Sequence, residues 1–139
     1  MGKIPLLQHD LNSLTEWFAA RGQPVYRARQ VRRWLFQRQA RGFEEMTDLP
    51  QDLRDALSLE FCVFGSVVET TRATADDTRK LLVRLCDGQA IECVLMTEAR
   101  RRTVCVSTQV GCGMGCVFCA SGLDGVLRNL EAYEIFEQF

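Results

Sequence analysis

Cys112-Gly-Met-Gly-Cys116-Val-Phe-Cys119 places three thiols at C-x3-C-x2-C spacing in a glycine-bearing stretch. Three thiolates from so short a loop can surround one metal centre. An iron–sulfur cube usually takes four cysteine ligands, so a set of three leaves one iron open to a substrate or cofactor. Structural zinc asks for four closed ligands, commonly in paired C-x2-4-C units. No second pair lies nearby here, although Cys105 could supply a fourth donor. Seven cysteines and no apolar leader at the N-terminus argue against a secreted disulfide scaffold and for a reducing compartment, where thiols serve metals or catalysis. Cys62, Cys86 and Cys93 sit among apolar neighbours and read as small buried hydrophobes.

A second candidate is Glu92. The segments 80–86 and 89–96 are rich in Val, Leu, Ile and Cys and flank Asp87-Gly88, a two-residue hairpin signal. That turn pairs Val83 with Glu92 and Leu81 with Val94, placing the carboxylate on one sheet face with Leu81, Val83, Leu85, Ala90 and Val94. A carboxylate in such company is costly to ionise, so its pKa would rise toward the range of a general base. A pairing with Arg84 or Arg102 at a sheet margin is the structural alternative.

The elements that would carry these groups follow from periodicity. Ser13-Leu-Thr-Glu16 has capping-box spacing ahead of a short first helix. A second helix is predicted from about residue 27 to 41, with Ala28, Val31, Trp34 and Leu35 on one face and Arg29, Arg32 and Arg33 on the other. Seven arginines and no acidic residue lie between Arg21 and Arg41, and arginine suits bidentate phosphate contacts and base stacking. Pro50 can open a third helix with Leu49, Leu53, Leu57 and Phe61 in a stripe. Past Gly65 the pattern becomes extended: 66–71, 80–86, 89–96 and 103–107. The last of these delivers the chain to a loop at 108–122, and a helix is predicted from Leu130 to Phe139. Strand, loop and helix in that order form a βα unit of the parallel-barrel kind. The helical pattern is still open at Phe139, so the chain reads as the front of a longer enzyme. No apolar run approaches the ~20 residues of a membrane span, and a net charge of -1 gives no global attraction to nucleic acid.

Taken together, the segments Tyr26-Arg-Ala-Arg-Gln-Val-Arg-Arg-Trp34, Phe43-Glu-Glu-Met-Thr-Asp-Leu-Pro50, Asp77-Thr-Arg-Lys80, Ile91-Glu92, Val104-Cys-Val-Ser-Thr-Gln-Val-Gly-Cys112, Cys116, Phe118, Cys119 and Arg128-Asn-Leu130 resemble the RlmN/Cfr family of radical S-adenosylmethionine RNA methyltransferases. The likeness runs from about Leu14 to Phe139, in the family's order and spacing.

The resemblance implies an α+β chain in three parts: a helix-hairpin-helix-like RNA-binding module over 1–62, a β-hairpin segment over 63–102, and the start of a truncated radical SAM (β/α) barrel over 103–139. It implies one 4Fe-4S cluster on Cys112, Cys116 and Cys119, S-adenosylmethionine with Phe118 nearby, Glu92 as proton acceptor, and Cys105 as the partner of a transient disulfide with a methyl-carrying cysteine. None of the seven cysteines matches that carrier, so the chain alone is expected to be inactive. Implied partners are 23S rRNA and tRNA, for which Arg29, Arg32 and Arg33 are candidate contacts, and a flavodoxin-like or other reductant. A cytoplasmic location and no membrane partner go with these. The implied reaction is methylation of adenine C2; C8 methylation, a non-catalytic RNA-binding module and a zinc or redox protein are the alternatives.

Overall fold

A computed structural model describes residues 2–119 and 123–139. The chain divides into two compact units, Met1–Gly65 and Ser66–Phe139.

The first unit is helical. Helix α1 (Leu11–Ala19) begins at Asp10, whose carboxylate accepts the Ser13 N–H at 2.8 Å, so the helix starts ahead of the Ser13–Glu16 box expected from spacing. It ends in a Schellman arrangement: Gly22 takes φ +66°, its N–H reaches the Ala19 carbonyl, and the Gln23 N–H reaches the Phe18 carbonyl. Helix α2 (Tyr26–Phe36) stops short of the predicted Arg41 because Gln39 turns left-handed at φ 51° and the Ala40 N–H folds back to Trp34 O. Helix α3 (Gln51–Glu60) has Pro50 as its N-cap. A two-residue strand, β1 (Ile4–Pro5), pairs in parallel with β2 (Phe61–Cys62). The apolar stripes read from sequence meet inside: Leu14, Phe18, Ala28, Val31, Trp34, Leu35, Leu49, Leu53, Leu57 and Phe61 are buried together.

The second unit is built on a four-stranded antiparallel sheet in sequential order: β3 (Val67–Ala73), β4 (Arg79–Arg84), β5 (Ala90–Glu98) and β6 (Arg101–Cys105). The β4–β5 turn differs from the expected one. Leu85 N–H bonds to Gln89 O at 2.8 Å and Gly88 N–H to Leu85 O at 3.0 Å, with Gly88 at φ +83°. This is a three-residue loop ending in a left-handed glycine, and it moves the register by one residue. Leu82 faces Glu92, and Val83 faces Ile91. A one-residue slip exchanges the faces of a strand. Val83, Leu85, Ile91 and Cys93 consequently form the buried face, joined by Val110 and Leu130. Glu92 lies on the opposite face.

Strand β6 is an edge strand running antiparallel to β5, and among the described residues the second unit contains no parallel pair. The strand expected to open a parallel-barrel unit is here paired antiparallel with β5. The 108–122 loop is instead bracketed by a short antiparallel ribbon, β7 (Gln109–Gly111) with β8 (Val126–Asn129); Ala120, Ser121 and Gly122 lie outside the described residues. Helix α4 (Ala132–Phe136) is shorter than predicted and carries a capping box between Glu131 and Glu134. No helix among the described residues is long and apolar enough to cross a membrane.

Candidate active site on the open face of the sheet

The register of β5 and β6 decides what shares a surface. Val94 lies opposite Cys105, so Glu92, two residues along β5, projects to the same face as Cys105. That face floors a cavity of about 540 Å³ whose walls include Glu92, Cys105, Ser107, Gln109, Asp124 and Gly125. The structure therefore brings the two residues proposed for catalysis together with the base of the three-cysteine loop. Ser107 Oγ donates to the Glu92 carbonyl at 2.7 Å, while its backbone N–H and carbonyl are held by the Gln138 side chain at 2.8 and 2.9 Å. The crossing from β6 to β7 is pinned at this point.

Glu92 is not the desolvated carboxylate expected from the two-residue turn. Its side chain is 47% exposed, and Oε1 lies 2.7 Å from Lys80 Nζ. The partner is neither Arg84 nor Arg102. Arg84 is held bidentate by Glu69 at 2.7 Å. Cys105 is exposed; Cys93, the neighbour of Val94, points into the core, where burial pushes its thiol pKa up. Of the three cysteines read as buried hydrophobes, only Cys93 is buried; Cys62 is intermediate and Cys86 exposed.

The base of the cysteine loop is tightly built. Gly111 has φ +81°, and a Cβ there would lie 2.1 Å from the Gly125 carbonyl oxygen, so only glycine allows the ribbon to close. Cys112 N–H donates to that same oxygen at 3.0 Å, and Leu130 N–H to Thr108 O at 2.9 Å. Arg128 on β8 reaches Asp87 in the β4–β5 turn (Nε to Oδ2, 2.8 Å) and grips the buried carboxylate of Glu134 with both terminal nitrogens at 2.7 and 2.8 Å. These bonds hold the Asp87 and Glu134 pKa values below the carboxylate range, for Asp87 after the larger effect of the Gln89 N–H. Burial and nearby carboxylates raise Tyr133 to about 12. The roles of Lys80 and Arg128 escaped the sequence reading; for Lys80 the missing signal was the turn length, since the three-residue loop puts Lys80 diagonal to Glu92.

The donor chemistry of the loop fits an iron–sulfur group: Cys112, Cys116 and Cys119 are free, half-buried thiols on one glycine-bearing turn. Their placement is looser than the chemistry. Among the described residues no group of three or more His, Cys, Asp or Glu side chains is gathered as a metal set. Cys119 N–H closes a turn on Cys116 O at 3.1 Å, and Phe118 between them is 89% exposed. In the first unit, Arg29 and Arg33 are exposed and Arg32 lies over the Phe36 ring at 4.6 Å, together lining a recess of about 430 Å³.

Residues 4–63 match the ribosomal RNA large subunit methyltransferase N-terminal domain. Over 136 residues, 98% of this chain, it is 53% identical to a probable dual-specificity RNA methyltransferase RlmN of Rhodopirellula baltica. The likeness to RlmN-type proteins thus runs over nearly the whole of this chain. A Synechocystis protein of the same description is 46% identical over 134 residues. The crystal structure of a radical SAM methyltransferase from Sphaerobacter thermophilus superposes with a TM-score of 0.85 at 43% identity, covering 97% of this chain and 40% of that one. The chain spans 37% and 38% of the lengths of the two curated relatives. The mixed α/β architecture thus agrees with a radical SAM methyltransferase structure.

Proposed function

We propose that the chain forms part of a radical SAM enzyme that methylates adenine C2 in 23S rRNA and in tRNA, with Cys112, Cys116 and Cys119 holding a 4Fe-4S cluster. The observation that carries this reading is the single cavity walled by Glu92, Cys105 and the base of the cysteine loop. With S-adenosylmethionine bound, such a cluster supplies one-electron chemistry suited to adenine C2, an electrophilic carbon that ordinary polar methyl transfer serves poorly. Glu92, open to the cavity, accepts the proton from the methylated carbon and restores the aromatic ring. Cys105, exposed on the same face, pairs with the methyl-carrying cysteine to free the product. Phe118 lies near the cofactor. The first unit, in a helix-hairpin-helix role, contacts RNA through Arg29, Arg32 and Arg33, and the residues from 103 onward begin the barrel. A flavodoxin-like reductant and a cytoplasmic setting complete the reading.

None of the seven cysteines matches the methyl carrier, so the 139 residues alone do not turn over. Joined to the remaining length of the Rhodopirellula baltica relative, the chain should support methylation of adenine in 23S rRNA, and Glu92→Gln or Cys105→Ala should each abolish multiple turnover. Undiminished product from both variants refutes the assigned roles, and product at C8 in place of C2 refutes the position.

A further inference from the structure

The open face of the sheet carries more positive charge than its carboxylates match. Arg72, Lys80, Arg84 and Arg101 all lie on the face of Glu92. Arg84 is paired with Glu69 and Arg101 with Glu98. Arg72 and Lys80 are different: they sit directly opposite one another across β3 and β4. Like charges at paired positions of adjacent strands repel. Glu92 lies on the same face and contacts Lys80 but not Arg72. The Arg72 side chain is exposed and makes no side-chain hydrogen bond or ion pair among the described residues. The two cations, the Thr70 side chain, Leu82 and Glu92 line a recess of about 210 Å³. Glu92 is thus the shared wall of this recess and of the larger cavity.

We propose that the recess bounded by Thr70, Arg72, Lys80 and Glu92 binds a phosphodiester of the RNA chain next to the nucleotide that enters the larger cavity. The arginine fork matches two phosphate oxygens, the lysine adds a point charge, and the threonine hydroxyl can donate a third bond. An anion seated there relieves the repulsion between the two cations. It also competes with Glu92 for Lys80, so RNA binding and release of the Glu92 carboxylate from its ion pair are coupled. The inference rests on the proposed RNA substrate, and extends it to a contact surface on the sheet that is separate from the Arg29, Arg32 and Arg33 face.

The test is fluorescence anisotropy of the 139-residue chain with a short labelled single-stranded oligoribonucleotide over a salt series. Each phosphate contact on a single strand adds about 0.7 to the slope of log affinity against log salt. Arg72→Gln and Lys80→Gln should each lower the slope, and together by about that amount, Arg72→Lys should keep it, and Glu92→Gln should tighten binding by freeing Lys80. Circular dichroism of each variant confirms the sheet, and titration with inorganic phosphate should shift the Thr70 amide and Arg72 Nε signals in ¹H–¹⁵N spectra of the native chain. If Arg72→Gln and Lys80→Gln leave the slope unchanged while Arg29→Gln/Arg32→Gln/Arg33→Gln removes it, the subsite is overturned and the RNA substrate stands. If the native chain shows no salt-dependent RNA binding, both readings fall.

Discussion

Replacing Arg128 by methionine tests how the cysteine loop is held. Arg128 makes two hydrogen bonds, at 2.7 and 2.8 Å, to a Glu134 side chain that is 4% exposed, and it also bonds Asp87. Removing one member of a buried ion pair costs about 3–5 kcal/mol because the remaining charge is stranded. Arg128 itself is 32% exposed and Glu134 keeps the Glu131 N–H at 2.8 Å, which offsets part of the loss. A cost of about 2–3 kcal/mol follows, or a fall in the unfolding midpoint of roughly 10–20 °C for a unit of this size. The pH dependence has a definite sign. The Glu134 pKa is lowered chiefly by its bonds to Arg128, so the stabilisation is present above the unfolded carboxylate value and is lost as pH falls through the folded one. Thermal melts followed by circular dichroism should show a gap between native and Arg128→Met proteins that is full at neutral pH and closes on acidification below about 4. Adding Glu134→Met should recover most of the loss, since neither charge is then stranded. A midpoint within about 2 °C of native, or a double variant no better than the single one, refutes the clamp.

Two of the left-handed glycines should respond differently to alanine: Gly88 meets open space and loses only about 1–2 kcal/mol of backbone preference, whereas at Gly111 the Cβ also collides with the Gly125 carbonyl. Urea unfolding of Gly88→Ala and Gly111→Ala should rank them in that order, and equal midpoints would contradict the ribbon geometry. Brief alkylation at mildly alkaline pH should label exposed Cys105 at least about tenfold faster than Cys93, which is 2% exposed with its thiol pKa raised by burial. Peptide mapping that finds Cys93 first would put β5 in the other register.

Helical periodicity was readable because each buried stripe repeats over several turns: Ala28, Val31, Trp34 and Leu35 on α2, and Leu53 and Leu57 on α3, are all in the core. The helix ends were less so. Gln39 adopts a conformation that β-branched or bulky residues avoid and glycine would have advertised. The β4–β5 hairpin was legible as a hairpin, yet Asp87-Gly88 serves a two-residue turn and a three-residue loop equally well, and both strand faces are apolar enough to hide the difference. One residue of register changed the surroundings of Glu92 from aliphatic to Lys80 and open solvent. The strand expected at 103–107 lies two residues earlier, at Arg101–Cys105, and because strand direction leaves no trace in alternation its antiparallel pairing with β5 was not foreseen. Strands β7 and β8 span only three and four residues, too few for a periodic signal. The cysteine spacing, in contrast, carried the donor chemistry without any knowledge of the fold.

Anaerobic reconstitution of the 139-residue chain with iron and sulfide, followed by metal and sulfide analysis, tests the three-thiolate site most directly. The expected result is about four iron and four sulfide per chain with a brown absorbance, lost when Cys112, Cys116 and Cys119 are all replaced by alanine and perturbed when S-adenosylmethionine is added to the native protein. One equivalent of zinc with neither iron nor sulfide, or a cluster that survives the triple replacement, would contradict it.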